Sequence, residues 1–141
     1  MKDKELLELF TDMTRIHTAY VERRLLPLGL RTGQGAIISA LGAHGPCSQK
    51  ELAEYRHVSA ATISVMLRRM ENSGLIVRSQ SEDGKGNHIA LTQKGQMAYE
   101  SLNQDMVGEP ERVFDGLGPE DKQAAERIFR QVSKNLAKIR G

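Results

Sequence analysis

The chain has 141 residues and a formal net charge of +2 at neutral pH. No apolar tract approaches the roughly 18 residues of a membrane span, and the charged start, Met1 to Glu5, is not followed by the apolar stretch of a secretory signal. The single cysteine, Cys47, excludes an internal disulfide and a zinc knuckle and fits a reducing cytosol. These features predict one cytoplasmic domain that is large enough to bury a core.

The charges are distributed unevenly. Residues 48 to 94 contain seven Lys/Arg against five Asp/Glu, whereas residues 95 to 141 contain seven against eight. A mildly basic middle segment permits binding to nucleic acid without requiring it.

The first segment has the periodicity of a helix that ends near Pro27. Its apolar residues step by three and four from Leu6 to Tyr20, the pattern of a seam against a partner helix. Proline disfavours helix in the residue before it, so the helix stops there. A second helix is expected after an N-cap at Thr32 and closes between Gly42 and Pro46.

Two further helices are expected on either side of a short turn. Ser48 to Glu51 is a capping box that begins a third helix near Gln49. Ser59 is an N-cap for a fourth helix, which ends at Gly74. Two helices joined by three or four residues have the spacing of a helix-turn-helix.

A two-stranded ribbon and two more helices complete the chain. Strands are expected from Leu75 to about Ser79 and from His88 to Leu91, followed by a helix capped by Thr92. The sequence then predicts an apolar stripe of Met97, Leu102 and Met106, a break at Gly108 to Pro110, and a last helix from Pro119. The predicted fold class is mainly α with a small two- or three-stranded β-wing, that is, a winged helix-turn-helix with helices added at both ends.

The fourth helix has one apolar face and one face suited to DNA. On a helical wheel Ile63, Met66, Leu67 and Met70 share the core side. Small and hydroxyl residues followed by arginines occupy the other side, which fits a helix in a major groove. The alternative is a plain polar outer face, but the capped helix before it and the ribbon after it favour DNA.

The loop between the two strands is polar and glycine-rich. Gly84 and Gly86 provide backbone freedom, and Lys85 between them is placed to enter a minor groove. A hairpin loop with solvated charges is the alternative.

The chain resembles the MarR family of bacterial transcriptional regulators. Asp83-Gly84-Lys85, five residues and then Leu91-Thr92, with Gly95 three further on, has the spacing of the family pattern Asp-x-Arg, five residues, Leu-Thr-x-x-Gly. Residues 48–54, 70–78 and 116–122 are also similar to family segments. Lys85 replaces the wing arginine and loses its planar fork, Val65 stands where relatives often have arginine, and Gly118 replaces the usual Ser/Thr cap.

This resemblance implies a single domain over residues 1–141. Residues 31–92 would form the winged helix-turn-helix lobe, and residues 1–26 and 93–141 the dimerisation helices. The homodimer would bind a pseudo-palindromic double-stranded DNA operator, usually as a repressor that responds to a small phenolic, other apolar anionic or oxidising effector.

Site residues follow from the helix faces and from the resemblance. The DNA-binding residues are expected to be Ser48, Ser59, Ala60, Ala61, Thr62, Ser64, Val65, Arg68, Arg69, Arg78, Asp83, Lys85 and Asn87. The dimer interface is expected to include Leu6, Leu9, Phe10, Met13, Ile128, Val132, Leu136 and Ile139. A candidate ligand pocket contains Met13, His17, Tyr20 and Arg24, although core or dimer-seam roles are favoured for these four.

Other chemistry is weakly supported. Cys47 is expected on a short first strand as a structural residue, with redox sensing as the alternative. The four histidines are scattered and form no pair at helical spacing, so no metal or other cofactor is expected. No nucleophile elbow or phosphate loop is present, so the protein is not expected to be an enzyme. The alternative function is a winged-helix protein-interaction module without DNA binding.

Overall fold

A computed structural model describes residues 1–80 and 87–140, without the side chains of Asn87 and Arg140. The chain divides into two compact units, one from Met1 to Asp105 and one from Met106 onward. Among the described residues no helix is both long enough and apolar enough to cross a membrane. The first unit holds α1 (Asp3–Leu25), α2 (Thr32–His44), β1 (Cys47–Ser48), α3 (Gln49–Arg56), α4 (Ala60–Asn72), β2 (Ile76–Gln80), β3 (Asn87–Leu91) and α5 (Gln93–Asp105), and the second holds α6 (Glu109–Val113) and α7 (Pro119–Arg140).

Most helix ends lie at the residues that the sequence marks. Ser48 and Ser59 are the N-caps of α3 and α4, and α7 begins at Pro119. The expected N-cap at Thr32 is wrong by one residue, because Arg31 is the N-cap and its backbone N–H donates to the side chain of Gln34 at 3.0 Å. A side-chain acceptor three residues on satisfies that N–H without a hydroxyl cap.

The end of α4 is a Schellman motif. Gly74 has a φ of +76°, its N–H donates to the carbonyl of Glu71, and the N–H of Leu75 donates to the carbonyl of Met70. Glycine adopts this left-handed conformation without the cost of a side chain. The motif turns the chain directly from α4 into β2.

Three short antiparallel strands form one sheet in the order β1-β3-β2. In the central strand Ile89 pairs with Cys47 on one side and with Arg78 on the other. Its side chain is fully buried. The predicted β-wing therefore belongs to a three-stranded sheet, in which β1 is only two residues long.

Helices α1 to α5 and the sheet all contribute to the core of the first unit. The predicted stripe on α5 is wrong at Met97, which is 64% exposed, and at Met106, which is 42% exposed and lies beyond the end of α5. Instead Gly95 of α5 is buried and Tyr99 of α5 packs against the core. The ring of Tyr99 lies directly on Gly42 of α2. The buried apolar residues are Leu25, Leu30, Ile37, Ile38, Ala40, Leu41, Leu52, Ile63, Leu67, Met70, Leu75, Ile76, Ile89 and Leu102.

A small hydrogen-bonded clip joins the two ends of the ribbon. We use the term clip for Gly74, Leu75, Thr92 and Gly95. The Thr92 N–H donates to the Leu75 carbonyl at 3.1 Å, and the Thr92 hydroxyl donates to the Gly74 carbonyl. The same hydroxyl accepts the N–H of Gly95 at 3.1 Å and so caps α5, as the sequence predicts. The clip holds the start of β2 against the end of β3.

Candidate nucleic-acid interface

Helix α4 has one buried side and one outward side. Ile63, Leu67 and Met70 are buried, and Met66 is partly buried against them. The opposite side lies open to solvent in this chain. Its residues are Ala60, Ala61, Thr62, Val65, Arg68 and Arg69, which are exposed, and Ser64, which is half-buried.

The first turn of α4 is held by its cap. The hydroxyl of Ser59 accepts the backbone N–H of Thr62 at 3.1 Å and donates to the hydroxyl of Thr62 at 3.0 Å. The side chains of Ala60 and Ala61, which lie in the same turn, do not extend beyond Cβ. This end of the helix is thus preorganised and has room for close approach of another backbone.

The start of α3 is a reciprocal capping box. The hydroxyl of Ser48 accepts the N–H of Glu51 at 3.1 Å, and the Glu51 carboxylate accepts the N–H of Ser48 at 3.1 Å. Hydrogen bonding of the carboxylate by the backbone N–H and by the hydroxyl of Ser48 lowers the pKa of Glu51 below its usual range. Glu51 is therefore ionised at neutral pH.

Arg78 does not lie with the exposed arginines of α4. Its Nη1 donates to Gln49 Oε1 at 2.8 Å, and its Nε lies 3.5 Å from Glu71 Oε1. The side chain is only 23% exposed. Among the predicted DNA-binding residues whose side chains the structure describes, Arg78 is thus a cation bound to side chains of two other elements.

Part of the predicted wing contact cannot be placed on the fold. Asp83 and Lys85 lie outside the described residues, as do Gly84 and Gly86. Asn87 is the first residue of β3 and pairs with Gln80, and its side chain is not described. The structure brings the other predicted residues to α4 and to the neighbouring start of α3.

Known proteins are similar to this chain in sequence and in fold. The sequence model of the MarR family matches residues 30–85, which cover α2 to the ribbon. The HTH-type transcriptional regulator YwoH of Bacillus subtilis is 29% identical over 128 residues, or 91% of this chain and 93% of YwoH. The regulator BCE33L1758 of Bacillus cereus is 33% identical over 110 residues, or 77% of this chain and 74% of that protein.

The second relative exceeds 30% identity over most of both chains. The chain belongs to the MarR family. It is accordingly a DNA-binding transcriptional regulator with a winged helix-turn-helix. The fold agrees with this, since MepR of Staphylococcus aureus, solved as a MepR–DNA complex, superposes with a TM-score of 0.83 over 91% of this chain and 94% of MepR at 20% identity.

The four residues of the candidate ligand pocket are not alike in this MarR-family chain. Met13 and His17 are exposed on α1, whereas Tyr20 and Arg24 are half-buried. The Arg24 guanidinium lies 5.4 Å from the centre of the Tyr20 ring and donates to the carbonyl of Leu102 at 3.2 Å. Arg24 thus joins α1 to α5 with Tyr20 beside it on α1, which favours the structural alternative considered for them.

Cys47 lies on β1, as expected, and is half-buried against the core. Burial raises the pKa of its thiol above the ordinary 9.0, and the nearby Glu51 carboxylate raises it further. A thiol that stays protonated at neutral pH is a poor nucleophile. This environment favours the structural role over redox sensing.

Sequence reasoning missed three side chains that organise the interface. Gln49 and Glu71 hold Arg78, and Thr92 closes the clip. The spacing of Ile76 and Arg78 along one strand indicates that both side chains lie on the same face of the sheet, but it does not identify Gln49 and Glu71 as the partners of Arg78. For Thr92 the sequence predicts the cap of α5 and the family pattern, but not the hydrogen bonds that its N–H and hydroxyl donate to the carbonyls of Leu75 and Gly74.

Proposed function

We propose that this protein binds a pseudo-palindromic double-stranded DNA operator as a homodimer and represses transcription from the cytoplasm. The outward face of α4 enters the major groove, with its small and hydroxyl residues near base edges and Arg68 and Arg69 near phosphates or bases. Ser48 and the N-terminal amides of α3 face the adjacent backbone. Asp83, Lys85 and Asn87 of the wing contact the neighbouring minor groove.

The observation that carries this proposal is the exposed face of α4. Helix α4 packs through Ile63, Leu67 and Met70, so packing does not require the two adjacent exposed arginines that follow the small residues on its outward face. The shape fits a groove, and the arginines supply charge and bidentate donors. MepR and its DNA complex share this fold.

The homodimer is supported by apolar side chains that would be exposed to solvent in a monomer. On α1, Leu6, Leu9 and Met13 are 53%, 56% and 50% exposed. On α7 the stripe of Ile128, Val132, Leu136 and Ile139 is half-buried or exposed. Such stripes at helical spacing favour burial against a second copy; Phe10 on α1 is half-buried beside the first stripe.

The second unit also contains an apolar groove of about 390 Å³. Phe114, Leu117 and Phe129 line it and are each 40–48% exposed. A partner's helix would cover these side chains as part of the same dimer. A response to a small aromatic or anionic effector that binds near Met13, His17, Tyr20 and Arg24 is supported by the family resemblance.

Salt-dependent DNA binding tests the proposal. The purified protein is used to select duplexes from a random-sequence library, and binding to the selected duplex is measured by fluorescence anisotropy between 50 and 200 mM salt, a range over which six to ten phosphate contacts lose about 10³–10⁵ in affinity. Lys85→Ala should lower the slope of log K against log salt by about 1 per protomer. A flat salt response would favour a protein-interaction module instead.

The dimer is tested separately by light scattering. Leu136→Glu places a charge in the exposed stripe of α7 and should give monomers that bind DNA weakly. Gln131→Glu adds the same charge on the same helix outside the stripe and should stay dimeric. A monomeric wild-type protein at micromolar concentration would refute this part of the proposal.

A further inference from the structure

Arg78 lies in the middle of β2 on the side of the sheet that faces the helices. It pairs in register with Ile89, which is fully buried, and it lies two residues after Ile76, which is buried on the same face of the sheet. Paired residues of antiparallel strands project to the same face. Arg78 therefore projects toward the helices, whereas Val77 and Ser79 beside it project outward, where both are exposed.

The guanidinium of Arg78 connects three elements. Its Nη1 donates to the side chain of Gln49, the first residue of α3, at 2.8 Å. Its Nε lies 3.5 Å from the carboxylate of Glu71, in the last turn of α4. The donors of a guanidinium have a rigid geometry, so these contacts set the position of the ribbon relative to both helices of the helix-turn-helix.

We propose that Arg78 is a positioning residue, which orients the ribbon against α4 through Glu71 and Gln49 and does not bind a DNA phosphate. This inference rests on the proposed function and replaces the sequence-based prediction that Arg78 is a DNA-binding residue. Moving its guanidinium to a phosphate would leave the Glu71 carboxylate without this cation and Gln49 without this donor. The ribbon and α4 must meet the same stretch of DNA, so their relative position affects binding although Arg78 stays behind the interface.

The first test separates positioning from phosphate contact by salt dependence. With the duplex selected by the wild-type protein, Arg78→Gln should weaken binding about tenfold, the size of a lost contact within a network. The slope of log K against log salt should stay within about 0.3 of the wild-type slope, because no phosphate contact is lost. Arg68→Gln, on the exposed face of α4, serves as the positive control and should lower the slope by about 1 per protomer.

The second test uses the sign of a charge change. Glu71 is an acid near a polyanion, so simple repulsion predicts that Glu71→Gln binds DNA more tightly. Positioning predicts the reverse, a loss of about fivefold, because Arg78 loses an ion pair that orients it. Glu54→Gln, an exposed acid on α3, is the matched control and should bind DNA as well as or better than the wild type. The double variant Arg78→Gln/Glu71→Gln should lose no more than Arg78→Gln alone.

Each outcome decides the matter. A slope reduced by about 1 per protomer in Arg78→Gln, an unchanged affinity in that variant, or tighter binding by Glu71→Gln would each overturn the inference while leaving the proposed function intact. A wild-type protein that selects no duplex would refute both. Thermal unfolding identifies any variant that fails to fold, and Glu71→Gln, at 41% side-chain exposure, is the milder of the two changes.

Discussion

Replacing Gly95 by alanine should loosen the clip at the base of the ribbon. Gly95 is the third residue of α5 and lies under the backbone of Leu75. An added Cβ would overlap the Leu75 carbonyl oxygen, and it would lie 3.2 Å from the Leu75 carbonyl carbon and 3.0 Å from Leu91 Cδ2. That carbonyl already accepts the N–H of Thr92 at 3.1 Å, so it cannot turn away without breaking the clip.

The expected loss of stability is about 3 kcal/mol. Overpacking against backbone falls at the upper end of the range, about 3 kcal/mol, and weakening the Thr92 hydrogen bond adds about 1 kcal/mol. The better helix propensity of alanine returns about 1 kcal/mol. At roughly 3–4 °C per kcal/mol for a chain of this size, Tm should fall by about 10 °C.

Thermal unfolding followed by circular dichroism at one protein concentration measures this loss. Gly33→Ala is a matched control, because its Cβ would lie 2.5 Å from the methyl of Met66, the mobile end of a flexible side chain. That variant should change stability by less than about 1 kcal/mol. Equal Tm values for Gly95→Ala and the wild type would refute the reasoning about the clip.

Three further changes probe the local chemistry. The pKa of the Cys47 thiol is raised above its ordinary value of 9.0, so less of the thiol is ionised at pH 8 than in an ordinary cysteine. Alkylation of Cys47 by iodoacetamide, followed by mass spectrometry, should therefore be slower at pH 8 than alkylation of glutathione, and it should accelerate above pH 9. Glu51 has a lowered pKa, so its stabilisation of the fold is present above its ordinary pKa of 4.5 and is lost as the pH falls through the lowered pKa. In urea titrations Glu51→Gln should therefore lose less stability between pH 5 and pH 3 than the wild type. Gly118 has open space around its Cβ position, and its N–H already donates to Asp121 at 3.2 Å, so Gly118→Ser should raise stability by a few tenths of a kcal/mol, about 1 °C in Tm.

The helices were predictable because their ends are marked by local chemistry. A capping box at Ser48, a hydroxyl cap at Ser59, a left-handed glycine at Gly74 and a proline at Pro119 each act within one turn of the chain. Their meaning does not depend on the rest of the fold. The winged helix-turn-helix and the exposed side of α4 follow from these markers together with the spacing of apolar residues.

The partners of Arg78 were not predictable in the same way. Its contact with Gln49 joins residues 29 positions apart, and only the three-stranded register brings them together. The same applies to Met97, where the spacing fits a helix but the choice of buried face depends on Tyr99 packing on Gly42. Local patterns identify elements, whereas long-range pairing decides which of their side chains organise the site.

The clip and Arg78 together fasten the ribbon to α4 at two places, at its base and at its middle. We therefore expect β2 and α4 to open only as one cooperative unit. In hydrogen exchange of the free protein, the amides of Leu75 and Thr92, which are bonded within and beside this junction, should exchange as slowly as those in the middle of α4. In Gly95→Ala the Thr92 amide should exchange much faster, while exchange of the α4 amides should accelerate only in proportion to the global loss of stability. Fast exchange of Thr92 in the wild type would mean that the ribbon moves independently of α4, and the two elements that we propose contact DNA would then not be held in one relative position.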